Sequence, residues 1–292
     1  MRIRIDLAYE GTDFHGWAAQ PGLRTVQGEL EAAIATVLRV PDVHVVCAGR
    51  TDTGVHARGQ VAHLDVEPDV LVAAAGRSPH PPIDTLLRKL NGVLPGDIRL
   101  HRMTEAPAGF DARFSAIWRQ YAYRIADRPA SVDPLARRHV LSWPRELDLT
   151  AMTVAGAELV GLHDFASFCK ARDGATTIRE LQVLHWLRDA DGVAVGTVQA
   201  DAFCHSMVRA LVGCLIAIGE GRKDVGWAVE TLDRADRGLP VTVAPASGLT
   251  LERVGYPPPG GLASRIELTR QRRTPGEVVS RSARLVEEPD DE

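Results

Sequence analysis

The sequence predicts an α+β fold built in two halves, with a polar loop at residues 48–60 carrying the chemistry. Three observations lead there. Period-two alternation recurs in short stretches: Ile3, Ile5 and Leu7 share one face of 2–9, and Ile117, Arg119, Tyr121, Tyr123 and Ile125 share one face of 115–126, with Trp118 on the other. Helical spacing falls between these stretches irregularly, and a hairpin turn is expected at Ala190-Asp191-Gly192, which argues against a parallel doubly wound sheet. The order strand, helix, strands, helix occurs twice, without a repeat of fixed period.

Taken in order, residues 2–9 form a half-buried strand and 10–17 a polar and aromatic loop. Thr25 caps a helix to about Arg39, whose apolar face holds Val26, Leu30, Ala33, Ile34, Val37 and Leu38. A strand over 43–47, the polar loop and a strand to about Val66 follow. Residues 73–82, rich in Ala, Gly and Pro, read as a flexible connection. Ile83, Leu86, Leu87 and Leu90 mark a short helix, and 98–103 a strand. The first half is set at 1–105 and the second at 106–256. In the second, Asp148 caps a helix to Leu162, 178–188 and 193–202 pair as a hairpin, and helices span 204–218 and 225–233. A last strand covers 249–256. Beyond the breaker Pro257-Pro258-Pro259-Gly260-Gly261, clustered arginines and a terminal acidic block mark 257–292 as a disordered tail.

At 292 residues and 45% hydrophobic content, a sizeable core is expected. No apolar run reaches membrane-spanning length, and the N-terminus lacks an apolar signal core, so a cytoplasmic protein with no membrane association is expected. Cys47, Cys169, Cys204 and Cys214 show neither metal-ligand nor paired spacing; free buried thiols and no metal are expected. A formal net charge of −4 does not favour a nucleic-acid partner. Lysine stands only at 89, 170 and 223, however, so nearly every cation is an arginine, whose planar fork suits phosphates. A compositional bias explains the same excess.

The loop Ala48-Gly49-Arg50-Thr51-Asp52-Thr53-Gly54-Val55-His56 sets a carboxylate between two threonines and two apolar runs. Read locally, Asp52 bonds nearby amides in a turn. Read functionally, it is a catalytic carboxylate on a loop held by rigid strands.

Several separated segments together resemble the tRNA pseudouridine synthase A family. They are the 48–56 loop, Tyr9-Glu10-Gly11 with Gly16-Trp17, Gln27, Asn91 with 94–98, and 110–116. Later segments are Arg119 with Tyr121 and Tyr123, His163-Asp164-Phe165 with Ser167-Phe168, Ala202-Phe203 with Met207-Val208-Arg209, and Gly248-Leu249 with Tyr256-Pro257. The resemblance implies a pseudouridine synthase fold, two ferredoxin-like halves around a central, mostly antiparallel sheet with the active-site cleft between them. It implies a homodimer that isomerises uridine to pseudouridine at tRNA positions 38, 39 and 40 without metal or organic cofactor. Carried over by position, Asp52 is the catalytic aspartate, Tyr121 the active-site tyrosine and Arg209 the arginine paired with the aspartate. Arg50 is similar to an arginine that displaces the base and contacts RNA, and Leu249 to an apolar position near the pocket. His56 and Arg58 are further candidate RNA contacts. Ala18 and Ala19, and a long proline-rich 70–83, depart from the family pattern.

The chemistry is consistent with these residues. The N1–C1′ bond breaks and C5 joins C1′, so nothing is oxidised. A carboxylate can attack C6 or C1′. Covering by the base disfavours its charge, and an arginine offsets that through a charge-assisted bond. Tyr121 offers a ring for stacking and a hydroxyl for the final removal of the C5 proton. Taken singly, Tyr121 also reads as a core tyrosine and Arg209 as a surface arginine. Cys204-His205 reads as the start of a helix. The one Asp52-Thr53-Gly54 also matches aspartic proteases, which need two such carboxylates. A non-catalytic RNA-binding module is the other rival, but an acidic group is unfavourable on a phosphate-binding surface.

Overall fold

The computed structural model describes residues 1–170, 176–236, 241–270 and 273–278. The first half runs β1 (Arg2–Tyr9), α1 (Val26–Leu38), β2 (Val46–Cys47), β3 (His56–Asp65), α2 (Pro68–Ala75), α3 (Pro82–Val93) and β4 (Ile98–Glu105). The second runs β5 (Trp118–Ala126), β6 (Leu141–Ser142), α4 (Leu149–Ala157), β7 (Gly161–Asp164), β8 (Ile178–Arg188), β9 (Ala194–Ala200), α5 (Met207–Gly219), α6 (Trp227–Arg234) and β10 (Leu249–Gly255). A last helix, α7, covers Leu262–Arg270.

The strands make one sheet of order β4-β1-β3-β10-β5-β9-β8-β7, with β2 beside β3 and β6 beside β5. Pairing is antiparallel except at β5–β6 and at the seam between halves, where β10 runs parallel to β3 with Thr250 opposite His56. Close approach at that seam depends on Gly59: a β-carbon there would lie 2.1 Å from the Glu252 carbonyl oxygen.

Alternation decides the faces. Ile3, Ile5, Leu7 and Tyr9 of β1 enter one large core with the apolar sides of α1 to α5. That core holds residues of both halves, including Tyr121, Tyr123, Val198, Leu211 and Leu251. On the opposite face Arg4 lies over the rings of Phe110 and Tyr256, and Val61 packs with Phe110, Ala112 and Leu262. Local signals behave as expected at the caps. Thr25 accepts from the Gly28 amide and Asp148 from Thr150 and Ala151, bonds worth about 1 kcal/mol each. Asn91 ties α3 to β4 through both the amide and the carbonyl of Leu100.

Four expectations are corrected. Helix α2 enters the segment expected to be a flexible connection, because Pro68 starts it and Leu71 buries against the core. Strand β2 is only two residues long. Helix α4 ends at Ala157, and Gly161, at φ 127°, opens β7 instead. The expected disordered tail begins with order: Leu262 is buried and Arg273 meets Asp201 at 2.7 Å. Residues 279–292 of that tail lie outside the described residues. The thiols also differ from expectation. Cys47 and Cys214 are free and buried, but Cys169 and Cys204 form a disulfide across two loops, their Cα atoms 5.7 Å apart. The fold, not the sequence spacing, brings them together.

Candidate active site

Loop 48–55 joins β2 to β3, and its backbone is held from several sides. The Trp17 amide donates to the Thr51 carbonyl (3.0 Å) and the Gly54 amide to Phe14 (3.3 Å). Gln60 donates to the Gly49 carbonyl (2.7 Å) and to the Tyr9 hydroxyl, which shares a buried 2.7 Å bond with the Thr51 hydroxyl. The Val55 amide closes a turn onto the Asp52 carbonyl, with Gly54 at φ 77° where other residues are strained. Arg119, from β5 of the other half, reaches across. Its guanidinium donates to the carbonyls of Ala48 (2.9 Å), Arg113 (2.7 Å) and Asp201 (2.7 Å). Burial lowers the pKa of Arg119.

Asp52 thus stands at the apex of a braced turn, its side chain 28% exposed. The residues facing it come from α5 and the turn before it. Ser206 donates to Oδ2 at 3.3 Å, Arg209 Nη1 lies 3.8 Å from Oδ2, and His205 Nε2 lies 3.5 Å from Oδ1. Arg209 is itself fixed, since its Nε donates to the Ala244 carbonyl at 2.7 Å. Ser206 has φ 62°, an uncommon conformation for a non-glycine residue, of the kind that collects at functional sites. The partners that meet the Asp52 carboxylate are a hydroxyl, an imidazole and a guanidinium, unlike the paired acids of an aspartic protease.

Tyr121 lies on β5 opposite Leu251, 7% exposed, with its ring edge-on to Phe203 at 5.2 Å. A β-carbon on Gly49 would lie 4.0 Å from its hydroxyl, so the phenol borders the loop. Burial raises its pKa strongly, and the charge of Asp52 adds to that.

The other expected site residues divide. Arg50 is exposed on the loop, as an RNA contact requires. Leu249 is buried on the Tyr121 face of β10, opposite Tyr123. Arg58 is exposed at the seam, 3.6 Å from Glu252. It borders a separate open depression of about 290 Å³, shared with Glu10, His56, Asp97, Arg99 and His139. His56 is corrected: at 3% exposure it supports the loop, its Nδ1 accepting from the Gly11 amide at 2.9 Å, and it is too covered to fill a gap in RNA. His205 and Ser206 were missed as partners of Asp52. The available signal was their position three and four residues before Arg209, which places them near it at a helix start.

A family model described as tRNA pseudouridine synthase matches residues 7–115 and 155–257. The chain belongs to the tRNA pseudouridine synthase family. Proteins named tRNA pseudouridine synthase A are similar to it over nearly its whole length. One from Frankia casuarinae is 54% identical over 275 residues, covering 94% of this chain and 96% of that protein. One from Mycobacterium leprae is 52% identical, with 94% and 96% covered. One from Bifidobacterium longum is 46% identical, with 94% and 99% covered. The matched segments of the synthase contain Asp52, His205 and Arg209, while Tyr121 falls between them.

Proposed function

We propose that this synthase converts uridine to pseudouridine in the anticodon stem-loop of tRNA, at positions 38, 39 and 40, with Asp52 as nucleophile. The observation that carries the reading is the Asp52 carboxylate, offered by one half and met by Ser206, His205 and Arg209 of the other. In this reading it works as a cytoplasmic homodimer. No helix among the described residues is long and apolar enough to cross a membrane.

The target nucleotide leaves its stack, at a cost of a few kcal/mol. Arg50, exposed beside the nucleophile, takes the vacated space and pairs with phosphate. The uracil lies against Tyr121, whose ring stacks and whose hydroxyl serves the final removal of the C5 proton. Arg209 and Ser206 orient Asp52 through Oδ2. The carboxylate attacks, the N1–C1′ bond breaks, the base turns, and C5 joins C1′.

Asp52→Asn keeps the shape and removes the nucleophile. It should abolish pseudouridine formation in a tRNA transcript while leaving tRNA affinity within a few-fold. Mapping pseudouridine by position tests substrate and residue together, and a variant still active at wild-type rate would remove Asp52 from the chemistry.

A further inference from the structure

The Cys169–Cys204 bond ends on the turn that meets Asp52. Cys204 directly precedes His205 and Ser206, and Cys169 closes the short turn Ala166–Phe168. The two ends differ in setting. Cys169 is 6% exposed and follows Phe165, Ala166, Ser167 and Phe168, all buried. Cys204 is half-buried. The bond therefore ties a core segment to a turn of the site.

Besides the bond, hydrogen bonds hold that turn. The Lys170 amide donates to the His205 carbonyl at 3.0 Å, the Met207 amide to the Cys204 carbonyl at 3.1 Å, and Ser206 to Asp52 at 3.3 Å. Ser206 keeps φ 62°, a conformation that persists only where its surroundings over-determine it. The tether two residues away supplies one such constraint. Arg209 lies within α5 and is fixed by the Ala244 carbonyl, so it does not depend on the tether.

We propose that Cys169 and Cys204 are a site of reversible oxidation, and that closing their bond seats Ser206 on Asp52. The proposal rests on Asp52 being the nucleophile of a cytoplasmic synthase. In that compartment a disulfide forms and breaks with the redox state instead of acting as a permanent staple. The oxidant is a low-molecular-weight disulfide. Cys204, the more accessible sulfur, attacks it as a thiolate, forms a mixed disulfide and releases one thiol. The Cys169 thiolate then attacks the Cys204 sulfur and expels the second thiol. The two cysteines lose two electrons and two protons, and the oxidant takes both. Two external thiols reverse the exchange. Cys47 and Cys214 stay out of it, because burial pushes each thiol up to about 12.

The test uses the full chain and a tRNA transcript. Wild type is equilibrated with reduced or with oxidised glutathione, and single-turnover rates and tRNA affinity are measured. Alkylation and mass spectrometry read the state of each cysteine. The oxidised protein should carry the Cys169–Cys204 bond and react about ten-fold faster than the reduced one at equal tRNA affinity, the effect of one hydrogen bond to a charged group. Cys169→Ser should react at the reduced rate under both conditions. Free thiols at both positions after oxidation, equal rates in the two states, a change in tRNA affinity alone, or a Cys169→Ser variant that still responds would each overturn the proposal. Failure of the wild type to form pseudouridine in either state would instead refute the underlying function.

Discussion

Single side chains decide how the loop is held. Arg119 donates to three carbonyls, one of them in the Asp52 loop, so a β5 residue sets the backbone of a first-half loop. His56, at the start of β3, holds the neighbouring loop through the Gly11 amide. Burial lowers its pKa from the ordinary histidine value, so the folded protein keeps it neutral where the unfolded chain would protonate it. Stability from this residue is therefore complete above about pH 6.5 and falls as pH drops toward the lowered folded value. His56→Asn, which keeps an acceptor for the Gly11 amide but does not titrate, should flatten the dependence of the urea midpoint on pH between about 5 and 6.5. An unchanged slope would mean that His56 is not part of the acid response. Asp52, Arg209 and Tyr121 were legible in the sequence because a resemblance located them. His205 was not, since a histidine at a helix start has many ordinary uses and only three-dimensional proximity to Asp52 selects this one.

Elements show a different limit of sequence reading. Strands with clean alternation, such as β1 and β9, were found where expected, because one buried face leaves a period-two record. α7 was hidden because its arginines resemble those of a solvated tail, and one buried Leu262 is a faint signal. The seam between β3 and β10 was equally invisible, since pairing between distant strands leaves no local pattern. It can be probed through two glycines. Gly59→Ala forces β3 and β10 apart and should lower stability by about 1–3 kcal/mol. Gly92→Ala, in α3 with open space around it, should raise stability by up to about 1 kcal/mol. Equal effects of the two in thermal unfolding would refute the close approach at the seam.

At the scale of the molecule, the proposed division at residue 105 marks a change of element order rather than separate cores. The main core contains Ile5 and Leu90 of the first half and Tyr123 and Leu215 of the second. Unfolding should therefore be one cooperative transition, with calorimetric and van't Hoff enthalpies in agreement. Two resolved transitions would show that the halves are independent. The net charge of −4 shows why bulk charge misled about RNA. Binding depends on where cations stand, and Arg50 and Arg58 are exposed on the loop and the seam.

The order of synthesis has a consequence for this sheet. β10 is the last strand made, yet it lies fourth of eight along the path and borders β3. A ribosome releasing the chain from its N-terminus delivers the Asp52 loop and β3 nearly two hundred residues before the strand that pairs with β3. Until then β3 lacks its neighbour, and the first half presents an unpaired edge to other nascent chains. The site is completed only once β10 has been made, so a chain stopped before it carries Asp52 without the strand that joins its loop to Tyr121.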